Sequence, residues 1–399
     1  MWWGLTVDAA DFTRMTGPSS WPEAPGVFSF SSLHDIEGCP RRWQLHHARW
    51  GDHDGLPRRA NERALVGVIV HEVNEVLMRA LALRGLPAVG APEYLDGVKA
   101  AAVHDLIRDR VREIEESYRD HPRDPGFRVR ATPRDIANEA LRLFRRQYAD
   151  LPGRAARRAE SAGGGDTTRS GDDREALIAA LSRRGVLAEV WLSPEGLPLR
   201  GQVDLVLRVD DGVRIVDLKT GVARAEYWEQ LALYALLWWR VTGEAPVELE
   251  IAHRDGREFK SISVAELVRV EDELLARVAA ARDALAQTPA EAKPGSGCGN
   301  CGARAFCDAY WEATGGGART GAYGDWELVV EGQVSAGGVG AMGPHGEAVA
   351  VVFEEALGRR HGPWFAGERL RVLGASVAEE ETTLRLSVGT EVFRRFPTG

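Results

Sequence analysis

The chain has 399 residues, of which 44% are hydrophobic, so it can form two or three domains and bury a sizeable core. Its net charge of -9 argues against a protein that coats nucleic acid by bulk electrostatics. No run approaches the roughly eighteen apolar residues of a membrane span, and the N-terminal residues are acidic where a signal peptide is basic. We therefore expect a cytoplasmic protein with no membrane partner.

Local basic faces are nevertheless available. Arginine is concentrated in residues 41–63 and 105–158. These stretches can form a track for DNA, or they can be solvated helix surface. Composition alone leaves both interpretations open.

Residues 1–60 predict an irregular leader followed by a helix that carries a cysteine. The first part, residues 1–27, is rich in Gly, Pro and Trp and has no periodicity. The following run, SFSSLHDIEGCPRRWQLHHARW, looks helical, with Ser31 or Ser32 as its N-cap. Cys39 lies on that helix or directly after it.

Residues 61–185 predict a helical region. Apolar residues recur at helical spacing between residues 61 and 84, and further helices are expected around 93–119 and 133–150. Residues 154–174 have almost no large apolar side chain, so they cannot offset their ordering entropy by burial. We expect them to form a flexible loop.

The pattern changes to short strands in residues 186–317. Runs rich in Val, Leu and Ile are separated by Pro-Glu-Gly and Asp-Asp-Gly turns, which predicts a strand meander. The predicted elements, in order, are strands LAEVWL, GQVDLVLRV and GVRIVDLKT, helix 227–242, a strand near 247–252 and helix 264–287.

Residues 318–399 return to strand signals separated by Gly-rich or acidic turns, which predicts a small β-barrel. An oligonucleotide-binding barrel would use exposed aromatic rings as stacking platforms. The acidic composition of this tail opposes a DNA groove, so a protein-docking module is an equal alternative. The aromatic candidates are Trp364, Phe365, Phe393 and Phe396.

The strongest chemical signal is Asp204 on one predicted strand and Asp217-Leu218-Lys219 on the next. Alternate side chains share one face of a strand, so Asp217 and Lys219 are expected to point the same way, with Asp204 beside them. Two carboxylates in apolar strands are costly to bury unless a cation compensates, and Mg²⁺ or Mn²⁺ is the natural candidate. The alternative is an ordinary ion pair on a surface hairpin.

Lysine usage favours the chemical interpretation. Only four of the 50 basic residues are lysines: Lys99, Lys219, Lys260 and Lys293. Unlike arginine, a buried lysine can shift its pKa and help to activate a water. A lysine placed between the carboxylates of two strands therefore suggests a catalytic role.

Four further residues are candidates for the same site. Glu189, on the preceding strand, can be a ligand, a positioning group or an edge residue in solvent. His71 lies in a mostly apolar helix and is either a ligand for a divalent ion or a structural histidine. Gln230 and Tyr234 share one face of a helix and can hold a phosphate or a base, or simply pack.

Taken together, these residues resemble the RecB-like branch of the PD-(D/E)xK nuclease superfamily, including its iron–sulfur CRISPR-associated exonucleases and the nuclease domains of helicase–nuclease complexes. The match follows the chain from residue 28 to 310. Its motifs are Gly67 to His71, Asp204 in GQVDLV, Asp217 to Lys219 in IVDLKTG and Gln230 to Tyr234 in QLALY. The resemblance implies an α/β fold with a restriction-endonuclease-like core, in which helices flank a mixed central sheet. The helical insertion and the predicted C-terminal barrel are additions that lie outside the family pattern.

The resemblance also implies roles. His71, Asp204, Asp217 and the backbone carbonyl of Leu218 would hold Mg²⁺ or Mn²⁺, and Lys219 would orient the attacking water. The implied activity is hydrolysis of DNA, as an exonuclease or end-processing enzyme in repair, recombination or defence. Implied partners are single-stranded DNA or duplex ends, with a helicase or a CRISPR or other defence protein. The alternative is a catalytically idle iron–sulfur subunit that binds DNA or scaffolds a complex.

The cysteines form a separate motif, Cys298-x2-Cys301-x5-Cys307, with Cys39 distant in sequence. Four thiolates suffice for one [4Fe-4S] cluster or one tetrahedral zinc, and their chemistry does not decide between the two. The resemblance implies the iron–sulfur cluster, because one cysteine before the core and three after it match the iron–sulfur members. Its implied role is to pin the N-terminal helix to the end of the nuclease core.

Overall fold

The computed structural model describes most of the chain. The described residues are 17–149, 151, 174–221, 224–253, 256–335, 337–353, 363–378, 382–387 and 389–395. Most of the loop predicted at 154–174 lies outside these residues. No helix among the described residues has the length and apolar character needed to cross a lipid bilayer.

A mixed five-stranded sheet spans residues 186–261, as predicted from the sequence. Its order is β3-β4-β5-β6-β7, and all neighbours are antiparallel except β5 and β6, which are parallel. A parallel pair needs a crossover connection, and the helix after β5 supplies it. The strands are β3 (Val186–Leu192), β4 (Gly201–Val209), β5 (Gly212–Lys219), β6 (Glu248–His253) and β7 (Gly256–Ser261). Two short strands, β1 (Arg49–Trp50) and β2 (His53–Asp54), form a separate ribbon.

The N-terminal helical run is broken at Cys39. Helix α1 (Phe30–Gly38) begins at Ser29, whose side chain accepts a hydrogen bond from the backbone N–H of Ser32. The predicted N-cap, Ser31 or Ser32, is therefore wrong. Cys39 is extended and precedes helix α2 (Pro40–His47), where proline at the first position is well tolerated.

Helices cover both faces of the central sheet, which confirms the predicted fold class. One face packs against α3 and α6, and the other packs against α8 and α9. The helices after α2 are α3 (Glu62–Ala82), α4 (Pro92–Ala100), α5 (Val103–Ser117), α6 (Pro133–Tyr148), α7 (Arg174–Arg184), α8 (Glu226–Thr242), α9 (Val264–Leu285) and α10 (Asp308–Ala313).

The C-terminal strands close into a five-stranded barrel, which confirms that prediction. The closed ring is β9-β10-β11-β13-β12, because β12 also pairs with β9, while β8 and β14 extend it. Closure leaves those five strands without a free edge in the ring. The strands are β8 (Gly317–Thr320), β9 (Tyr323–Ser335), β10 (Gly338–Met342), β11 (Ala348–Phe353), β12 (Arg369–Val377), β13 (Thr383–Leu386) and β14 (Glu391–Arg395).

Burial corrects part of the prediction of stacking platforms on this barrel. Trp364 and Phe393 are 8% and 2% exposed, so they belong to the packed interior rather than to a binding surface. Phe365 is exposed. Phe396 lies outside the described residues.

Candidate metal centre and cysteine pocket

Asp204 lies where two neighbouring strands separate. The ladder between β4 and β5 runs to the pair Leu205 and Val216. Beyond it, Asp204 Oδ2 accepts a hydrogen bond of 2.6 Å from the backbone N–H of Leu218. The carboxylate thus takes the place of a backbone acceptor, which fixes its orientation between the strands.

The backbone also changes direction at Glu189, the strand residue opposite Asp204. Ala188 and Leu205 are paired and pack towards α3, whereas Val190 and Val203 are paired and pack towards α8. Residues two apart normally share a face, so both strands switch faces between these pairs. Glu189 has φ +52, a left-handed conformation that is strained for a non-glycine residue.

Helix α3 brings His71 to these two carboxylates. Its Nδ1 lies 3.5 Å from Asp204 Oδ1 and 3.9 Å from Glu189 Oε1. One ligand atom from each of the three residues lies within 4.8 Å of the other two. This is an arrangement that can hold a metal ion, because imidazole and carboxylate are both competent ligands for Mn²⁺.

Asp217 and Lys219 point to the other wall of the site, towards α8. Lys219 Nζ lies 2.7 Å from Asp217 Oδ2. Asp217 is 1% exposed, and its Oδ2 is buried without a well-aligned hydrogen bond. The contact is therefore a close charge pair that leaves a lone pair of this oxygen available to a cation.

Helix α8 holds the lysine in place through a short relay. Lys219 Nζ donates to Gln230 Oε1 at 3.0 Å, and Gln230 Nε2 donates to the Tyr234 hydroxyl at 2.6 Å. The ammonium also lies 4.6 Å from the ring centre of Tyr227, a favourable cation–π contact. Tyr227 is not among the residues predicted from the sequence, although it shares a helix face with Gln230 and Tyr234 at i, i+3 and i+7.

A glycine permits the close approach of this helix. A Cβ at Gly201 would lie 2.7 Å from Tyr234 Cε1 and 3.1 Å from Leu237 Cδ1. The glycine three residues before Asp204 is therefore required by packing, because it lets the Tyr234 ring lie directly on β4. This explains the glycine of the GQVD motif in physical terms.

The electrostatics show that the site carries more negative charge than its surroundings stabilise. Burial, and then the charge of Asp204, raise the pKa of Asp217 to about 7 and that of Glu189 to about 8. Burial is the largest single effect on the pKa of His71 and lowers it. The charge and hydrogen bond of Asp204 together with the charges of Glu189 and Asp217 outweigh burial, so the net shift is upward. Bound protons thus compensate the carboxylates, and a divalent cation with oxygen and imidazole ligands fits the same donors.

The four cysteines line one cavity of about 220 Å³. None forms a disulfide. Cys39 is the extended residue between α1 and α2, and the segment of turns at residues 296–307 supplies the other three. Backbone N–H groups of Lys293 and Gly295 donate to the sulfurs of Cys39 and Cys298 at 3.4 Å. Four thiols with N–H donors at one cavity fit either an iron–sulfur cluster or zinc.

Buried arginines attach the barrel to this cysteine segment. Arg371 of β12 donates to the backbone carbonyl of Ala305 at 2.8 Å and pairs with Asp308 at 2.8 Å. Arg123 donates to the Gly302 carbonyl at 2.9 Å and pairs with Glu391 of β14 at 2.6 Å. The barrel therefore contacts the segment that carries three of the four cysteines.

The chain matches the model of a known protein family. The model of the PD-(D/E)XK nuclease superfamily matches residues 27–308. A solved structure titled "Crystal structure of SSO0001" is 15% identical, with a TM-score of 0.17, over 35% of this chain and 67% of that chain. That likeness is too low to carry a structural argument. No curated protein matches the chain.

Proposed function

Because this chain belongs to the PD-(D/E)XK nuclease superfamily, we propose that it is a metal-dependent deoxyribonuclease that acts on DNA ends or single strands. The observation that carries the proposal is that two groups of charged side chains, on opposite walls of the site, lie close together. His71, Glu189 and Asp204 form one wall, and the Asp217–Lys219 pair forms the other. The match to the superfamily includes all five residues.

The residues fit a divalent cation. We assign His71, Asp204, Asp217 and the Leu218 carbonyl to hold Mg²⁺ or Mn²⁺, with Glu189 as a further ligand or positioning group. The buried Oδ2 of Asp217 and the raised carboxyl pKa values support this assignment, because a cation would replace the protons. Such an ion would polarise the scissile phosphate and lower the pKa of a bound water.

Lys219 has a separate role in the proposal. Its ammonium is held by Gln230 and Tyr227, so it reaches the site in one preferred position. From there it would donate a hydrogen bond to the attacking water or to the developing negative charge on the phosphate oxygens. A donor fixed before the reaction stabilises that charge without reorganising. Tyr234 would act indirectly, by orienting the Gln230 amide.

We further propose that Cys39, Cys298, Cys301 and Cys307 hold a [4Fe-4S] cluster, with zinc as the alternative. The cluster would pin the break between α1 and α2 to the segment that also contacts the barrel. Iron and acid-labile sulfide in equal amounts in the purified protein, both lost in Cys39→Ser, are expected. Stoichiometric zinc without iron would contradict the cluster.

The resemblance to the RecB-like branch supports a proposal for the biological setting. We propose a cytoplasmic role in DNA repair, recombination or antiviral defence, beside a helicase or a CRISPR or other defence protein. The competing function is an idle cluster-bearing scaffold. Retained buried carboxylates beside a lysine argue against that alternative, since an idle site gains nothing from their desolvation cost.

The test is digestion of end-labelled single-stranded DNA, duplex DNA and RNA in Mg²⁺ or Mn²⁺. We expect DNA cleavage that chelator abolishes and that Asp217→Asn and Lys219→Ala remove. Lys260→Ala is the matched control, because Lys260 lies on β7 over the Trp228 ring and outside the site. Absence of cleavage on every substrate, or equal cleavage by Lys219→Ala, would refute the proposal.

A further inference from the structure

A second cavity, of about 240 Å³, adjoins the candidate centre. It is lined by residues from α1, β3, β4, α8 and the residue before β4, and its wall includes Gln230 and Tyr234. Gln230 is the residue that accepts the hydrogen bond of Lys219. The cavity wall therefore contacts the proposed catalytic lysine through Gln230.

An exposed tryptophan forms another wall of this cavity. Trp191 is 56% exposed, although its neighbours Val190 and Leu192 are buried. It pairs across the sheet with Gln202, two residues from both Glu189 and Asp204 on the same strands. That separation is roughly 7 Å along the strands, close to the spacing between successive nucleotides. Trp191 belongs to none of the hydrophobic clusters formed by the described residues.

The cavity also contains an unpaired cation. Arg200 is exposed, and its guanidinium makes no ion pair with any residue that the structure describes. Phe30, half-buried at the start of α1, adds a second aromatic surface. An aromatic platform beside an arginine is the combination that binds single-stranded nucleic acid, with the base on the ring and the phosphate on the cation.

From this arrangement we infer that Trp191, Phe30 and Arg200 form a subsite for one unpaired nucleotide of a DNA strand whose adjacent phosphate lies at the candidate centre. The inference rests on the proposed function and specifies its substrate as a single strand or a frayed end. Base stacking on Trp191 is independent of base identity, because each base presents a π-face. Gln202, opposite Trp191, offers an amide to the edge of the stacked base.

The test measures binding without cleavage. Single-stranded oligonucleotides are titrated into the Asp217→Asn protein and into Asp217→Asn combined with Trp191→Ala, and binding is followed by fluorescence anisotropy. A series of oligonucleotides carries one abasic residue at successive positions. We expect one position at which base removal weakens binding roughly tenfold, and we expect Trp191→Ala to weaken binding similarly and to abolish that positional effect.

Further variants separate stacking from other causes. Trp191→Phe is expected to retain most of the affinity, and Arg200→Ala is expected to reduce the slope of log affinity against log salt by about one. Tyr323→Ala, which removes a similarly exposed ring on β9 that is not among the stacking candidates, is the matched control and should bind like the parent. An abasic effect that is unchanged in the Trp191→Ala protein would overturn the subsite.

The two proposals fail in different ways. If the parent chain binds single strands through Trp191 but cuts no nucleic acid, the nuclease proposal fails and the subsite stands. If the parent cuts DNA and the Trp191→Ala protein binds and cuts single strands as well as the parent, the subsite fails alone.

Discussion

The Lys219 ammonium lies 2.7 Å from the Asp217 carboxylate and 3.0 Å from Gln230 Oε1, so one cation joins a buried acid to an adjacent helix. An ammonium group has three proton donors, and among the described residues the one to Gln230 forms a well-aligned hydrogen bond, so donor capacity remains for the site. The geometry therefore separates two functions: Asp217 supplies negative charge to the centre, and Lys219 supplies a donor that α8 has already oriented.

Replacing Lys219 tests this division. Lys219→Ala is expected to lower the rate of the cleavage step by about 10²–10³-fold, the usual effect of losing one preorganised donor. Lys219→Arg should recover little, because the planar guanidinium cannot occupy the position of a compact ammonium between Gln230 and Tyr227. Single-turnover cleavage at saturating Mn²⁺ measures the effect. A normal rate for Lys219→Arg would show that charge alone suffices.

The relay behind the lysine predicts a graded response. Gln230→Leu removes the acceptor of the lysine, whereas Tyr234→Phe removes only the acceptor of the Gln230 amide. We expect a larger loss of cleavage rate in Gln230→Leu than in Tyr234→Phe. Because both residues act through Lys219, combining either with Lys219→Ala should add little. Additive losses in these double variants would place Gln230 in direct contact with substrate instead.

Packing between β4 and α8 predicts a stability effect at Gly201. In Gly201→Ala the new Cβ would meet the Tyr234 ring at 2.7 Å, so the helix or the ring must move. Overpacking of this kind costs about 1–3 kcal/mol. Thermal melting of the variant against Gly26→Ala measures it, since a Cβ at Gly26 meets nothing within 4 Å. Cleavage should also fall, because Tyr234 supports the lysine relay; equal melting temperatures would contradict the packing argument.

Sequence patterns predicted those elements whose burial is periodic. The α3 helix and the apolar strands β4 and β5 were predicted close to their observed bounds, because burial dictates their side chains. Strand β7 was missed, since GREFKS is mostly exposed and charged and is a strand only through its pairing with β6. The sequence left open whether Cys39 lies on the first helix or directly after it, because local helical periodicity continues through Cys39.

Some features of the candidate site were also predicted from local sequence patterns, and others were not. Asp217 and Lys219 share a face as strand alternation requires, and they were predicted from that rule. The face switch at Glu189 violates this rule. It was not predicted, because no sequence pattern indicates that a glutamate adopts a left-handed conformation. The role of Gly201 and the exposure of Trp191 depend on what α8 and α1 place beside them. Such contacts are tertiary, and no local pattern encodes them.

Glu189 predicts how the stability of the metal-free protein depends on pH. Its folded-state pKa is raised to about 8 by burial and by Asp204, whereas an unfolded glutamate titrates near 4.3. Between these values the folded chain holds a proton that the unfolded chain has released. The free energy of unfolding therefore falls as pH rises from about 4 to about 8. The charged groups that also act on Glu189 are His71, Glu75 and Arg79.

Glu189→Gln removes this titration, so its melting temperature in chelator should fall less steeply between pH 5 and pH 8 than that of the parent. The pKa of Asp217 is also raised, so part of the fall in melting temperature with pH remains in both proteins. Glu195→Gln, at an exposed turn position, is the control and should follow the parent. Adding Mn²⁺ should stabilise the parent more at pH 8 than at pH 5, because protons compete with the ion for the same oxygens. If the melting temperatures of Glu189→Gln and the parent depend on pH in the same way, Glu189 is ionised in the folded chain. The site would then not need a proton on Glu189 to compensate its negative charge.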